Sequence, residues 1–285
     1  MFLEKFSTIT FSLFLITALD TTVGFKIEIN MFGFCPLASG SKGNCIYVGT
    51  KTTKILIDAG LSAKAIRERL GAIGVSIDEI DAILITHEHT DHIKGLDVLG
   101  SKIPVFANSD TAKAIQGILN MHPKFKIFST GEVFEFGDLE VHPFSVQHDA
   151  VDPVAFTMKT GGLKLGFCAD LGFATTLVAS CLKGCDYLYL EANHEPSMVH
   201  ACSRPMVYKK RVLSRQGHLS NAECAGLLEQ IYHEGLKHVH LAHLSSECNS
   251  QELALKIISE KLQALTAKTE VSIAYQETVS RSISF

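Results

Sequence analysis

The sequence predicts an α/β protein built as an αββα four-layer sandwich, and three observations carry that prediction. Beyond Met31, short β-rich runs alternate with segments whose apolar residues recur at helical spacing. Over residues 125–167 the alternation gives way to strands alone. The mixture then resumes, so that each half of the chain has its own sheet and its own outer helices.

The elements follow in order. "GNCIYVGT" and "TKILIDAG" read as paired strands with glycines at their turns. "SAKAIRERLGAIG" places Ala63, Ile66 and Leu70 on one helical face and stops at glycine. "IDAILIT" and "KIPVFAN" are strands, and "SDTAKAIQGIL" is a helix with a Ser or Asp cap. "FKIF", "EVFEFG", "LEVHPFSV", "PVAFTMKT" and "LKLGF" are expected to fold as antiparallel hairpins, because glycines and polar pairs separate them. Strand "CDYLYLEAN" precedes helix "PMVYKKRVLSR", and a longer helix opens at "HLSNAE" with Ser220 and Glu223 in capping-box spacing. Strand "HVHLAHLS", helix "SQELALKIISEKLQAL" and strand "VSIAYQ" complete the pattern.

With 285 residues, 46% of them hydrophobic, the chain can bury one large core, expected over residues 31–285. Residues 1–30 are expected to be an extension. Their apolar run, 6–19, is short for a membrane span and lacks a small-x-small cleavage site, so a mis-assigned start is preferred over a secretory signal. Eight cysteines without C-x-x-C spacing read as buried thiols in a cytoplasmic protein. The formal charge of −4 excludes a protein that grips phosphates by bulk charge. Any positive surface must be local.

"AILITHEHTDHIK" concentrates the chemistry. His87 and His89 follow a buried strand and, two apart, project to one side; Asp91 and His92 open the next helix. Imidazole nitrogen suits Zn, Mn or Fe, and a neighbouring carboxylate suits a catalytic ion that keeps a position open for water. Alternation turns Glu88 away from the ligands, towards solvent or a supporting contact. A single histidine here would read as local hydrogen bonding; H-x-H-x-D-H after a strand does not.

"THEHTDH" resembles the signature of metallo-β-lactamase-fold hydrolases, whose αββα sandwich holds one or two metals where its sheets meet. The resemblance implies three further ligands, and "FSVQHDAV", "GFCADLG" and "LAHLS" supply His148, Asp170 and His243 in the expected order. It implies two divalent ions (Zn or Mn, with Fe as a further option), His87, His89 and His148 on one, Asp91, His92 and His243 on the other, and Asp170 between them. His238 and His240 are rivals for the last place, and "HLS" favours His243. Asp58 in "LIDAG" resembles the family's supporting aspartate rather than a ligand.

Three further segments resemble the YycJ (WalJ)-type subfamily, DNA exonucleases acting 5′ to 3′ on double strands. The matching positions are Ser39, Gly40, Ser41, Gly43 and Asn44, then Asn193 and His194, then Gly217, His218, Leu219, Ser220 and Asn221. "HLSSECNS", with Cys248 before Asn249, departs from the more polar run expected there. The resemblance implies DNA as partner, no membrane, Asp91 and Asp170 in catalysis, and His194 or His218 as the acid for the leaving group. Arg204, Lys209, Lys210, Arg211 and Arg215 form a local positive cluster that, with Asn44 and Ser220, is a candidate substrate surface. A thioester or lactone hydrolase of the same fold, or an iron redox member, would use the same ligands. A binding module without catalysis is disfavoured because no ligand position is missing.

Overall fold

The computed structural model describes residues 31–119 and 123–285; the expected extension at 1–30 lies outside them. The strands are β1 (Gly33–Ala38), β2 (Cys45–Gly49), β3 (Lys54–Ile57), β4 (Ala82–Leu84), β5 (Val105–Ala107), β6 (Phe125–Ile127), β7 (Phe134–Phe136), β8 (Leu139–Ser145), β9 (Val154–Thr160), β10 (Leu163–Cys168), β11 (Tyr187–Glu191), β12 (His238–Ala242), β13 (Glu270–Ile273) and β14 (Ile283–Ser284). They form two seven-stranded sheets, ordered β14-β1-β2-β3-β4-β5-β6 and β13-β12-β11-β10-β9-β8-β7. The helices are α1 (Ala63–Ala72), α2 (Thr90–Ile93), α3 (Leu96–Leu99), α4 (Ser109–Ile118), α5 (Thr176–Leu182), α6 (Pro196–Ala201), α7 (Met206–Val212), α8 (Asn221–Ile231) and α9 (Gln251–Ala264).

Alternation along the strands explains the layering. On β8, Leu139 and Val141 point inward while Glu140 and His142 are half-exposed. Phe34, Ile55, Phe156 and Phe167 fill the space between the sheets, with Phe34 edge-on to Phe167 at 5.4 Å. A second apolar layer joins the first sheet to Ile66, Leu70, Leu96 and Ile115 of its helices. A third joins the second sheet to Val178, Leu228 and Ile258. Three apolar layers between four layers of backbone give the expected αββα sandwich. Ser62 caps α1, and Ser220 with Glu223 forms the expected capping box of α8.

The strand-rich middle differs from expectation at one element. β6 does not hairpin with β7 but pairs parallel with β5 at the edge of the first sheet, while β7 to β10 form the antiparallel meander. Its Lys126 and Ile127 are exposed, so burial does not select its partner. β14 returns to pair with β1. A β-carbon on Gly33 would lie 1.8 Å from the Ile283 carbonyl oxygen, so only glycine lets β14 approach. Among the described residues no helix is long and apolar enough to cross a membrane.

His238 and His240 lie buried on β12, joined through the Ser272 hydroxyl at 2.8 and 2.7 Å. Burial pushes their pKa values down to about 4 and about 3. The unfolded chain therefore takes up protons below about pH 6.5 that the folded chain refuses, and stability falls as pH drops. Each should cost about 2 kcal/mol between pH 7 and pH 5. Urea unfolding at the two pH values should show His240→Leu losing that share of the slope; an unchanged slope would refute it.

Candidate metal centre

The site lies at the carboxyl ends of β3, β4, β8, β10, β11 and β12, where both sheets open onto a common edge. Three of its residues leave their strands in the left-handed region: Asp58 (φ 60°), Asp170 (φ 56°) and His243 (φ 53°). Thr266 is the other non-glycine residue with positive φ among those described. Such backbone persists only where surrounding contacts enforce it, and here it swings the side chains off the strand ends into one space.

The four sequence-adjacent residues enter through the turn between β4 and α2. Asp58 accepts from the Thr86 backbone N–H at 2.9 Å and sits 2.7 Å from His92 Nδ1, leaving His92 Nε2 to face the centre. Asn44 braces the same turn: its Nδ2 is 3.0 Å from His92 Nε2, and its Oδ1 accepts from the Gly40 N–H. Gly60 lets the turn close, because a β-carbon there would fall 1.6 Å from the Asp91 carbonyl oxygen. Glu88 does point away from the ligands, yet it is buried rather than solvated. Its Oε1 accepts from the Val151 N–H and anchors the loop after His148.

The seven predicted ligands converge. His87, His89 and His148 bring ligand atoms within 4.8 Å of one another, and Asp91, His92 and His243 do the same. Between the two groups, Asp170 stands 3.3 Å from His92 Nε2, 3.9 Å from His148 Nε2 and 3.4 Å from His243 Nδ1. His148 Nε2 and His243 Nε2 are buried without a hydrogen-bond partner. Orphaned imidazole nitrogens in a ring of N and O donors are what a divalent cation satisfies, so the residues fit a metal.

The electrostatics agree. Burial, reinforced by neighbouring histidines, holds His87 well below the ordinary imidazole range, and burial lowers His148; both are neutral, the form that ligates. Burial also opposes charge on His92 and His243, but Asp58 and Asp170 outweigh it at His92, and Asp170, Asp91 and Glu191 raise His243 to about 10. Asp170 stays well below the usual carboxylate range despite its burial because His243 and His92 face it. Protons on these two rings balance the buried carboxylates; a bound cation would displace them.

Glu191, which sequence reasoning passed over, belongs to the same cluster. It is fully buried, 2.8 Å from His218 Nδ1 and 3.2 Å from His243 Nδ1, and its other oxygen accepts from the Leu171 and Leu219 N–H groups. Its signal was the placement of a carboxylate at the end of the buried strand "YLYLE", matching Asp58 and Asp170. Of the two candidate acids, His218 lines a cleft of about 220 Å³ beside the centre, with Tyr208, Arg211 and His243. His194 does not line it; it is buried beneath a β-bridge to Ser220. A larger cleft of about 510 Å³ continues past Ser41 and Ser245 to the start of α9.

The candidate substrate residues fare unevenly. Ser220 commits its hydroxyl to the helix cap, accepting from the Glu223 N–H and donating to its carboxylate, so its one proton is not available to a phosphate oxygen. Asn44 serves the ligand turn instead. Arg204 pairs with Glu247, and Arg211 with Asp149 at 2.5 Å; Lys209 donates to the His200 carbonyl. Arg215 stacks on Phe173, its guanidinium 4.0 Å from the ring centre. Lys210 is exposed. The cluster is assembled, but its net charge is smaller than the sequence alone suggests.

Two facing sheets that gather histidines and carboxylates at a shared edge define a metallohydrolase of the αββα class. Residues 53–241 match the β-lactamase superfamily domain, and the chain belongs to that family, in its metallo-β-lactamase-fold branch of YycJ type. It is 40% identical over 235 residues to Exodeoxyribonuclease YycJ of Bacillus anthracis, covering 81% of this chain and 89% of that protein. To Exodeoxyribonuclease WalJ of Streptococcus pneumoniae it is 36% identical over 250 residues, covering 85% and 90%. In fold it is similar to the metallo-β-lactamase fold protein YhfI of Bacillus subtilis, with TM-score 0.68 at 17% identity over 86% of this chain and 97% of that one.

Proposed function

We propose that this chain is a metal-dependent phosphodiesterase that degrades DNA from its ends, 5′ to 3′ on duplexes, in the cytoplasm. Residues 31–285 form the working domain, with His87, His89 and His148 holding one divalent ion, Asp91, His92 and His243 a second, and Asp170 shared. The observation that carries the reading is the full ligand set beside a cleft walled by arginine and histidine, in a chain alike over most of its length to exodeoxyribonucleases.

Divalent zinc or manganese there would supply Lewis-acid stabilisation of phosphoryl oxygens and an acidified water. The protein's own groups do the rest. Asp58 and Asn44 hold the orientation of His92. Glu191 accepts from His218 Nδ1, which leaves Nε2 to give a proton to the departing 3′ oxygen. Arg211, presented over the cleft by Asp149, binds a non-bridging phosphate oxygen. Free thiols at all eight cysteines accord with a reducing compartment.

Incubation of the purified protein, with Mn²⁺ or Zn²⁺, with 5′-phosphorylated duplex DNA, single-stranded DNA, RNA and a thioester should give mononucleotides from DNA. Removing metal with a chelator should abolish this, and adding it back should restore it. Turnover of the thioester with no attack on DNA would overturn the proposal.

A further inference from the structure

Resting on that DNA-degrading reading, we infer that the cleft of about 510 Å³ receives the 5′-terminal nucleotide released by each cleavage, and that Tyr275 stacks on its base. Ser41, Leu244, Ser245 and Ser246 line both this cleft and the smaller one beside His218 and His243, so the two form one continuous groove. The larger end falls within the range of roughly 300–1,000 Å³ that encloses a compact ligand, the scale of a single nucleotide.

Strand register brings Tyr275 to this groove. β12 and β13 run parallel with Leu241 opposite Ile273, and the Ala274 N–H donates to the Leu241 carbonyl at 2.8 Å. Two residues further along the two strands come His243 and Tyr275, so Tyr275 leaves the sheet one strand over from a metal ligand, where backbones lie about 4.8 Å apart. Its own backbone is held on both sides: its N–H donates to the Ser280 hydroxyl at 2.8 Å, and its carbonyl accepts from the Ser39 N–H at 3.0 Å. The Ser39 hydroxyl accepts from the His243 N–H at 2.7 Å, which ties the tyrosine to the metal centre through one residue. Arg69 fixes the following turn by donating to the Gln276 and Glu277 carbonyls. Tyr275 is thus a rigidly held aromatic residue, 38% exposed, in the wall of the groove.

Chemistry selects which part of the substrate enters. The proton from His218 goes to the departing 3′ oxygen, which in a 5′ to 3′ cleavage belongs to the terminal nucleotide. That nucleotide's sugar and base therefore lie on the His218 side of the scissile phosphate, where the groove begins. Ser41 and Ser246 line the junction of the two clefts with hydroxyls that have no hydrogen-bond partner among the described residues, open to a sugar oxygen. At the far end Lys42 is paired with Glu277 at 2.8 Å and Glu252 adds a negative charge, so that end does not attract a phosphate. An exposed aromatic ring among hydroxyls and amides suits an uncharged base, which loses its stacking neighbour as it parts from the duplex.

The test compares the metal-loaded enzyme on a duplex with an intact 5′-terminal nucleotide and on the same duplex with that nucleotide abasic. Wild type should cleave the intact end with a kcat/KM about tenfold higher, the scale of one base–aromatic stack. Tyr275→Ala, an exposed side chain whose loss should leave the unfolding transition in place, should bring that ratio close to one. Tyr275→Phe keeps the ring and should keep the wild-type ratio. A Tyr275→Ala ratio equal to wild type, or a wild-type ratio of one, overturns the stacking assignment. Wild-type protein that attacks neither end overturns the DNA reading itself and the subsite with it.

Discussion

Asp170→Asn should abolish hydrolysis, lowering kcat by about three orders of magnitude or more while the folded structure survives. The carboxylate reaches into both halves of the site, within 3.9 Å of His148, His92, His218 and His243. Asparagine keeps the shape and tolerates the left-handed backbone, so the loss is one of charge rather than of fold. Metal content by mass spectrometry should fall with activity. A variant that retains both would remove the shared role assigned to Asp170.

Glu191→Ala should instead be felt by the fold. Glu191 accepts from two backbone N–H groups and two histidine rings with no solvent contact, so its deletion strips the Leu171 and Leu219 N–H groups and the His218 ring of the acceptor they share. A loss of about 3–5 kcal/mol is expected, as for other buried charged partners removed singly. Glu191→Gln should recover most of that stability but not the rate, since a neutral amide no longer offers His218 Nδ1 a carboxylate acceptor to fix the ring over the cleft. Denaturant unfolding of the two variants alongside their kcat separates the roles; equal stability of Ala and wild type would refute the first.

The contrast between these residues shows what the sequence carries. His87, His89, Asp91 and His92 were legible because one turn places them together, and their spacing alone is improbable in a structural loop. His148, Asp170 and His243 were legible only through resemblance, since each is an ordinary residue in its own segment. Glu191 was missed for a physical reason: its partners come from the β10 end, the turn before α8 and the β12 end, so that only its place at the end of a buried strand sets it apart from a surface glutamate. Ser220 misled in the opposite way, because its cap was visible and its exclusivity was not. For the fold, most strands were legible as β-rich runs between turn residues, whereas the two-residue β14 was not foreseen; the parallel pairing of β6 was not legible either, because its exposed residues carry no record of a partner.

The pairing of β14 with β1 bears on how the molecule is made. As the polypeptide emerges from the ribosome, β1 is made well before β14, its second neighbour in the sheet. Until then one edge of the first sheet is bare, a template for another chain. Closures this non-local slow folding in general and lengthen the time for which such an edge stays open. The same strap, where Cys35 donates to the Ser280 carbonyl across 245 residues, is what hides that edge in the finished protein.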